Sequence, residues 1–436
     1  MDNLVKSFWK TYRYEIEIIT PVHIGSGNRI KAFEFGYDSE KIYVLNVDKV
    51  AKELPELTGE IIQVLMESDG SNVNNLFELL KRSKVSNVQN FSKYAVKGYN
   101  FRNYNSLRDF LEHVKSAGCP YIPGSSIKGC FMKELATFPT VQSKAINILQ
   151  YLSKIQNTKE RKKERKKERM QSFEKESKKL LTDIFGDPKH SFGKILRIGD
   201  SACLEVEKLQ IANGKILGIN GQRNGSCKIA WFCGKQDGMS IYKDEPNQTN
   251  GLFCEILPPG LKLQGHASVL HIEPTSSEIS KYPWILKTNH LHNFVSGNSV
   301  LLDILAFIRN NLSNYIHTEK NIFKSITSYQ SSNNRIIVYN YLQFLEKIER
   351  LQQNLKENEV LVRLGAHTGF ITKSILGYPS PNLIPALKNF LKGTVHANEF
   401  PKTRKLILKD RNDVEQVGWV KISFYAEKDV LNISTH

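Results

Sequence analysis

The first clear pattern along the chain is an alternation of apolar and polar residues close to its beginning. In TYRYEIEIIT, residues 11–20, apolar positions at every second residue alternate with charged ones, as in a strand that buries one face. The glycine-containing segment PVHIGSG that follows predicts a turn. Two short apolar segments, IKAFEFG and KIYVLNV, flank the sequence YDSE and predict a β-hairpin.

Helical spacing replaces the alternation after this hairpin. The segment DKVAKEL predicts a short helix with Asp48 as its N-cap. We then expect mainly short helices over residues 50–118, in the segments GEIIQVLMES, NNLFELLKRS and SLRDFLEHVKSAG. Another helix is predicted to begin within YIPGSSIKGC, residues 121–130, and to continue through FMKELATF.

The rest of the chain returns to strands and contains two long helices. A strand is predicted from about Ile195, a hairpin around GINGQRNGSCKIAW, and a strand, turn and strand in GLFCEILPPGLKLQGHASVL. Apolar positions at helical spacing predict two packed helices within residues 298–357. A strand, turn and helix are predicted in EVLVRLGAHTGFITKSI, and strands in TRKLILKD and GWVKISFYA. This succession predicts an α+β fold.

The charge of the chain indicates a partner. With 61 Lys and Arg against 44 Asp and Glu, the 436 residues carry a formal net charge of +17. Such an excess attracts polyanions, so nucleic acid is the expected partner. Eight basic and three acidic side chains fall in KERKKERKKER, residues 159–169. Their spacing fits an exposed helix or a disordered arm, which is either a solvated insertion or a direct contact to phosphates.

Other features bear on compartment and cofactors. Residues 1–15 contain charges where a signal peptide needs an apolar run, and the apolar stretch VLLDILAFI is interrupted by Asp303. We therefore expect a cytoplasmic protein with no membrane partner. The six cysteines form no CxxC pair and are expected to be buried thiols. Asp183, Asp187 and Asp200 fall in predicted turns and at a strand end, so neither a metal site nor a cofactor is expected.

The segment PGSSIKG, residues 123–129, has the composition of an anion-binding helix start. The first turn of a helix leaves N–H groups unpaired and carries the positive end of the dipole, so phosphates bind there readily. In this segment Ser125 or Ser126 would cap the helix and Lys128 would add a charge. Gly129 would let another backbone approach closely. Such a start is also common in ordinary capped helices, which the segment alone favours, so the functional interpretation depends on the surrounding sequence.

Four stretches in order supply that context: TPVHIGSG, PGSSIKG, IFGDPKHSFGKILRIGD and LPPG. Together they resemble motifs of the RAMP superfamily of CRISPR RNA-binding proteins, and PGSSIKG is the most specific of them. RLGAHTGFITKSI and GWVKISF further resemble the large two-lobed RAMP subunit that caps the type III-A (Csm) effector filament at the 3′ end of its guide RNA. The stretches that carry the resemblance are residues 12–50, 119–137, 181–272 and 359–424. The family commonly has an aromatic residue where this chain has Ala366 and His367.

The resemblance implies a domain organisation. It implies ferredoxin-like (RRM-like) β/α domains with antiparallel sheets and helical insertions. An N-terminal RAMP domain would comprise residues 1–275, including the basic insertion at 158–179. A C-terminal lobe would comprise residues 276–436, in which a helical part at 298–357 precedes a partial RAMP-like β/α unit at 359–436.

The resemblance also implies a role and a set of site residues. The role is that of a non-catalytic subunit that binds crRNA, the guide RNA, and is needed for crRNA maturation and complex assembly in antiviral defence. Its expected protein partners are the neighbouring backbone RAMP subunit, the small subunit of the effector complex and host nucleases that trim the crRNA 3′ end. The residues implied in RNA binding are His23, Gly25, Ser26, Gly27, Ser125, Ser126, Lys128, Arg223, Arg363, His367, Thr372 and Lys373. Each of three residues also has a purely structural alternative to RNA binding. His23 would be hydrogen-bonded to the backbone, Arg363 would be part of an ion pair, and Arg223 would be merely solvated.

A metal-independent endonuclease that cuts CRISPR-repeat RNA is the second hypothesis. RAMP endonucleases use a His or Tyr as general base against a 2′-hydroxyl, and His23 and Tyr37 are the candidates in this chain. Those enzymes are usually much shorter and have a more glycine-dense C-terminal loop, so the binding role is favoured. Asp38 falls near the position of the aspartate that cleaves target RNA in backbone RAMP subunits, but it is predicted to be a turn residue.

Overall fold

The computed structural model describes residues 8–67, 76–85, 87–101, 104, 107–135, 143–148, 150, 171, 175–176, 178–179, 182, 185, 192–221, 227–237, 239–271, 300–328, 332–369, 403–409 and 412–427. Its main helices are α1 (Val47–Glu53), α2 (Thr58–Glu67), α3 (Leu76–Arg82), α4 (Gly124–Leu135), α5 (Val300–Lys324) and α6 (Ser332–Gln353). Its strands are β1 (Phe8–Ile18), β2 (Gly25–Lys31), β3 (Phe35–Tyr37), β4 (Ile42–Leu45), β5 (Ser92–Gly98), β6 (Asp109–His113), β7 (Lys115–Ser116), β8 (Cys119–Pro120), β9 (Leu196–Ile198), β10 (Gln210–Gly221), β11 (Cys227–Gln236), β12 (Met239–Lys243), β13 (Leu252–Ile256), β14 (Lys262–His271), β15 (Ile326–Ser328), β16 (Glu359–Arg363), β17 (Thr403–Leu408), β18 (Val414–Gln416) and β19 (Trp419–Ala426).

A five-stranded sheet joins the beginning of the chain to its end. Its order is β16, β19, β1, β14, β9, and each described pair of neighbours is antiparallel. The alternation in β1 places Tyr14 and Ile16 on a buried face. Helices α4 and α5 cover this face, where Phe131 and Leu305 join the same apolar core. Burial of the apolar half of β1 therefore holds α4 against the sheet.

A larger sheet contains twelve described strands. Its main path is β2, β6, β13, β10, β5, β4, β3, and β10 also pairs with β11 and β17. The pairs β5–β10, β6–β13 and β11–β15 are parallel, whereas the other described pairs in this sheet are antiparallel. Helices α5 and α6 pack on the part formed by β10, β11 and β17, around Trp231 and Tyr341. The predicted α+β class with antiparallel sheets is confirmed.

Most of the predicted elements are present. The strand at residues 11–20 is β1, the hairpin around YDSE is β3 and β4, and the hairpin around GINGQRNGSCKIAW is β10 and β11. The helices predicted in GEIIQVLMES, in NNLFELLKRS and after the PGSSIKG start are α2, α3 and α4, and the two packed helices are α5 and α6. The predicted strands of the second half are β9, β13, β14, β16, β17 and β19. The pattern of apolar positions is thus sufficient to locate these elements.

Three local predictions are wrong. The segment SLRDFLEHVKSAG is not helical but forms β6 and β7, because β6 pairs with β2 and β13 and buries Phe110 and His113. The N-cap of α1 is Asn46, whose side chain accepts from the Lys49 amide at 3.1 Å, rather than Asp48. Cys203 is an exposed thiol, whereas Cys254 is buried as expected.

The division of the chain near residue 275 stays a prediction. Both sheets combine strands from the two sides of this boundary, since β1 pairs with β14 and β19, and β10 pairs with β17. Helix α5 also packs against the core that β1 shares with β14. The two sequence segments therefore share cores in the described part of the chain.

Candidate nucleic-acid interface

Three segments that are distant in sequence, together with Leu111 of β6, line a cavity of about 640 Å³. The first is the turn after β1 together with the start of β2, and the second is one face of α4 from Ser126 to Lys133. The third is the loop that follows β16. The lining residues are His23, Ile24, Gly25, Gly27, Asn28, Leu111, Ser126, Gly129, Cys130, Lys133, Arg363, Leu364, Gly365, Ala366 and Thr368. The predicted first turn, the predicted helix start and the predicted C-terminal motif therefore meet at one site.

The turn after β1 is held by buried hydrogen bonds. His23 Nδ1 donates to the carbonyl oxygen of Glu255 at 2.7 Å, and the ring is only 1% exposed. The next amide, that of Ile24, donates to His113 Nδ1 at 3.2 Å. Burial and the neighbouring His23 lower the pKa of His113 to about 3, so this ring is neutral and accepts through Nδ1. The described conformation thus favours the backbone-bonded alternative for His23.

The loop after β16 packs directly on this turn. The amide of Ala366 donates to the carbonyl oxygen of His23 at 2.7 Å. The rings of His23 and His367 stack with centroids 5.5 Å apart and planes 8° apart. His367 has a φ of +66°, and its Nδ1 lies 2.9 Å from Lys405 Nζ, from which it accepts. The turn and the loop therefore form one continuous wall of the cavity.

A buried carboxylate supports this wall from behind. Glu255 is fully buried, and its side chain accepts from Tyr94 Oη at 2.6 Å, from the His113 amide at 2.9 Å and from Lys115 Nζ at 2.6 Å. Burial raises the pKa of Glu255, while the charge of Lys115 opposes that shift. Such a group stays satisfied only while its donors are in place, so the network fixes the backbone that holds His23.

The exposed rim of the cavity is formed by the start of β2. Gly25, Ser26 and Gly27 are all exposed, and Gly27 has a φ of +96°, which glycine adopts without strain. Ser26 Oγ donates to Glu112 Oε2 at 3.0 Å and accepts from the Asn28 amide at 3.1 Å. The hydroxyl proton of Ser26 is therefore directed to a carboxylate in this conformation. The backbone of Gly25 and Gly27 is the part of this rim that a nucleic-acid strand can approach closely.

Helix α4 begins in a tightly packed corner. A Cβ at Gly124 would lie 2.1 Å from the carbonyl oxygen of Ile198, so only glycine fits there. The Gly124 amide donates to Asp200 Oδ1 at 2.8 Å. The predicted cap by Ser125 or Ser126 is therefore wrong, because a carboxylate from the loop after β9 fills this role. Ser125 is exposed, and Ser126 lines the cavity.

The next turns of α4 form one side of the cavity. A Cβ at Gly129 would have no other atom within 4 Å, so this side of the helix is open. Lys133 lies one turn further along the same face, and its Nζ is 2.8 Å from Glu134 Oε1. Sequence analysis missed Lys133, although its helical spacing from Ser126 and Gly129 would have indicated it. Lys128 is not among the lining residues.

Arg363 lines the cavity but has structural partners. Its guanidinium donates to the carbonyl oxygen of Val417 at 3.2 and 3.0 Å and to Tyr315 Oη at 3.1 Å. It also lies over the rings of Tyr315 and Trp419, at 5.9 and 5.5 Å from their centroids, and is 8% exposed. This arrangement favours the structural alternative for Arg363, with carbonyl and aromatic groups in place of the predicted ion-pair partner.

Comparison with known proteins agrees with the arrangement of motifs. The model of the RAMP superfamily matches residues 15–421. The chain belongs to the RAMP superfamily. The ferredoxin-like α+β fold predicted from the resemblance is the fold of this superfamily, and the antiparallel five-stranded sheet and its helices agree with it.

Individual RAMP proteins are also similar to the chain. The CRISPR system Cms protein Csm5 of Streptococcus thermophilus is 27% identical over 135 residues, which are 29% of this chain and 38% of that protein. The match thus spans well under half of this relative. A chain in the cryo-EM structure of a Csm–crRNA–target RNA ternary complex of a type III-A CRISPR-Cas system is 17% identical, with a TM-score of 0.60 over 95% of this chain and 100% of that one. The crystal structure of T. onnurineus Csm5 is 16% identical, with a TM-score of 0.50 over 93% and 99% of the two chains.

Several predicted RAMP residues lie away from the cavity or outside the described structure. Arg223, Thr372 and Lys373 fall outside the described residues, as does most of the basic insertion at 158–179. Tyr37 packs against Tyr104, with ring centroids 5.6 Å apart, and does not line the cavity. Asp38 is confirmed as a turn residue, because its carboxylate accepts from the Glu40 and Lys41 amides and from Tyr43 Oη.

The described residues also bear on metal binding and on membranes. No group of three or more His, Cys, Asp or Glu side chains in this part of the RAMP chain is arranged to hold a metal ion. None of the helices there is both long enough and apolar enough to span a bilayer.

Proposed function

We propose that this RAMP protein is a guide-RNA-binding subunit of a type III-A CRISPR (Csm) ribonucleoprotein. The observation that carries the proposal is the meeting of three sequence motifs around one open cavity. Glycines line it from two sides, at Gly25 and Gly27 in the first turn and at Gly129 in α4. Glycine lets the phosphate backbone of a ligand approach the protein main chain closely. The net charge of +17 favours the same class of ligand.

The comparisons support the choice of complex. One relative is named as a Csm5 protein, and one similar chain is part of a Csm complex with crRNA and target RNA. Since the curated relative is matched over only 38% of its length, its partners are proposed for this chain by analogy. The neighbouring backbone RAMP subunit and the small subunit are the proposed protein partners.

The proposed role is binding without catalysis. The two candidate bases give little support to a nuclease, because Tyr37 packs away from the cavity and His23, although it lines the cavity, is only 1% exposed and stacks on the ring of His367. A general base needs to lie within hydrogen-bond reach of the 2′-hydroxyl that it deprotonates. His23→Ala should therefore lower the stability of the fold. The wild-type protein should leave repeat RNA intact. Cutting of repeat RNA by the purified chain would favour the endonuclease hypothesis.

The finer proposal is that the subunit caps the filament at the crRNA 3′ end and is needed for crRNA maturation and assembly. The basic insertion at 158–179 is proposed to recruit the host nucleases that trim this end. Deletion of residues 158–179 should then make the crRNA 3′ ends in assembled complexes longer or more heterogeneous in length. Unchanged 3′ ends would remove the insertion from this role.

The test is co-expression of the chain with a CRISPR array and the other Csm subunits. The chain is then purified by an affinity tag at two salt concentrations, and the RNA that accompanies it is sequenced. The proposal expects guide RNAs with defined 3′ ends, recovered with the partner subunits and lost more readily at the higher salt, because phosphate contacts dominate the affinity. Recovery of no guide RNA, or of the same amount at any salt, would contradict it.

A further inference from the structure

The five-stranded sheet has a second face, opposite the one that α4 and α5 cover. On β1 this face carries Arg13, whose register neighbours are His266 on β14 and Tyr425 on β19. On the edge strand β9 it carries Arg197, whose neighbour on β14 is Ser268. Arg13 and Arg197 are exposed, Tyr425 is 42% exposed and the His266 side chain is 69% exposed. This polar face is therefore open in the described part of the chain.

Two guanidinium groups on this face lie over aromatic rings. The Arg197 guanidinium carbon is 3.9 Å from the centroid of Trp9, and that of Arg13 is 5.5 Å from the centroid of Tyr425. Trp9 and Arg13 are four residues apart on β1, which separates the two pairs by roughly 13 Å along the strand. A guanidinium plane and an aromatic ring both stack on nucleobases, whichever base is present.

The surrounding charges leave these two arginines available. Other charged side chains on this face have partners: Lys262 pairs with Glu15 at 3.1 Å and Lys421 with Glu17 at 2.9 Å. Glu427 Oε1 lies 2.9 Å from His266 Nδ1. Within the described residues, neither Arg13 nor Arg197 makes an ion pair.

Two lysines extend the positive charge around the edge of β9. Lys194 precedes this strand, and Lys128 lies on α4, the helix that packs against β9. Burial and the charges of Arg197 and Lys194 lower the pKa of Lys128, so these three cations lie close together. The lysines add positive charge at the edge of the face that carries Arg197.

We propose that this outer face of the five-stranded sheet binds single-stranded RNA by stacking bases on the Trp9–Arg197 and Tyr425–Arg13 pairs. Lys128 and Lys194 contact the phosphates at the β9 edge. None of Trp9, Arg13, Arg197 and Tyr425 lines the cavity beside α4, so this surface is a separate one. The inference does not depend on the guide-RNA role of the cavity or on membership of a Csm complex.

The test measures binding of a fluorescently labelled oligouridylate to the purified full-length chain by anisotropy. Arg13→Gln and Arg197→Gln should each weaken binding on the order of ten-fold, the loss expected for one stacked base. Arg197→Lys keeps the charge but not the planar group, so it should recover only part of the affinity. Lys81→Gln is the matched control, because Lys81 is an exposed cation over the ring of Phe77, at 4.4 Å, on helix α3. This control should bind as wild type does, and all variants should melt at the wild-type temperature.

Ultraviolet crosslinking of the same oligouridylate adds a direct readout. Crosslinked peptides should contain Trp9 or Tyr425. Lys81→Gln should give the same crosslinks as the wild-type chain. Absence of binding by the wild-type chain would overturn the proposal. So would wild-type affinity and wild-type crosslinks in both arginine variants, since another surface would then hold the oligouridylate. Loss of a co-purifying protein subunit in the arginine variants, with oligouridylate binding intact, would make the face a protein interface instead.

Discussion

The carbonyl oxygen of His23 accepts a hydrogen bond from the amide of Ala366 at 2.7 Å. This bond joins the turn after β1 to the loop after β16, and both segments line the cavity. Gly365, next to Ala366, has a φ of +84°, and a Cβ there would lie only 2.2 Å from the same carbonyl oxygen. The close contact of the two segments therefore requires glycine at position 365, which ties the shape of the cavity to the stability of the fold.

Gly365→Ala should destabilise the protein. The new methyl group would meet the carbonyl oxygen of His23 in a backbone conformation that alanine rarely adopts, so we expect a loss of about 2 kcal/mol or more in the free energy of unfolding. Urea denaturation measures this loss. Gly129→Ala is the matched control, because the same substitution in an open helical position should stabilise by about 0.5–1 kcal/mol. Equal stability of Gly365→Ala and wild type would mean that the two segments are not packed as described.

Asp200→Asn should separate stability from RNA affinity at the start of α4. The carboxylate accepts from the Gly124 amide at 2.8 Å, and asparagine keeps an acceptor but removes the negative charge. The free energy of unfolding should fall by about 0.5–1 kcal/mol, because the variant loses the attraction between the negative carboxylate and the positive end of the helix dipole. Retention of guide RNA should stay the same or increase, since the local potential becomes more positive. Weaker retention in this variant, at unchanged stability, would mean that Asp200 itself orders the RNA site.

Lys115→Met should expose the cost of the buried Glu255 carboxylate. Lys115 Nζ lies 2.6 Å from Glu255 Oε2, and removal of one partner of a buried pair costs about 3 kcal/mol. Burial then raises the pKa of Glu255 against only the hydrogen bonds from Tyr94 and the His113 amide, so the folded variant takes up a proton more readily than the unfolded chain. The loss of unfolding free energy relative to wild type should consequently be smaller at mildly acidic pH than at neutral pH. Chemical denaturation at both pH values measures it. A deficit that is independent of pH would contradict this account, and Lys115→Met combined with Glu255→Gln should recover part of the stability.

The pH dependence of stability should reflect His113. Its pKa is about 3 in the fold, below the ordinary value of 6.5, because of burial and the nearby His23. The unfolded chain therefore binds a proton first, so the stability that this group contributes is complete above pH 6.5 and is lost as the pH falls towards 3. The slope from one such group is at most about 1.4 kcal/mol per pH unit. His113→Gln keeps a donor and an acceptor without titrating, so its stability should fall less steeply over this range. Parallel curves for the two proteins would show that His113 is not held neutral.

The sequence predicts an element best where the pattern of apolar residues within that element alone shows which face is buried. Alternation in β1 and helical spacing in α5 are visible without any partner, and both elements are present. β6 is different, since DFLEH has no period-two pattern of its own, and its strand pairing depends on β2 and β13 from distant parts of the chain. Tertiary pairing decides such segments, so a local pattern favours the wrong element.

The site was predictable in its motifs but not in its contacts. The first turn, PGSSIKG and the loop around Ala366 could all be found from sequence, and they meet at the cavity. Sequence could not indicate that Asp200 would cap α4, because that contact crosses 76 positions of the chain. Nor could it distinguish an exposed basic residue from Arg363, whose partners Val417 and Tyr315 come from other elements.

The most direct test of the cavity as the guide-RNA site uses Gly129→Leu in the assembled complex. Leucine is a better helix former than glycine and meets open space at this position, so the fold should be retained while the side chain fills the cavity. Gly59→Leu is the matched control, because Gly59 lies in α2, also faces open space and is not a lining residue of the cavity. The measurement is the amount of guide RNA that remains with each purified complex at two salt concentrations. We predict that Gly129→Leu loses most of its RNA, on the order of ten-fold, while Gly59→Leu keeps the wild-type amount. Wild-type RNA retention by a folded Gly129→Leu complex would contradict the account.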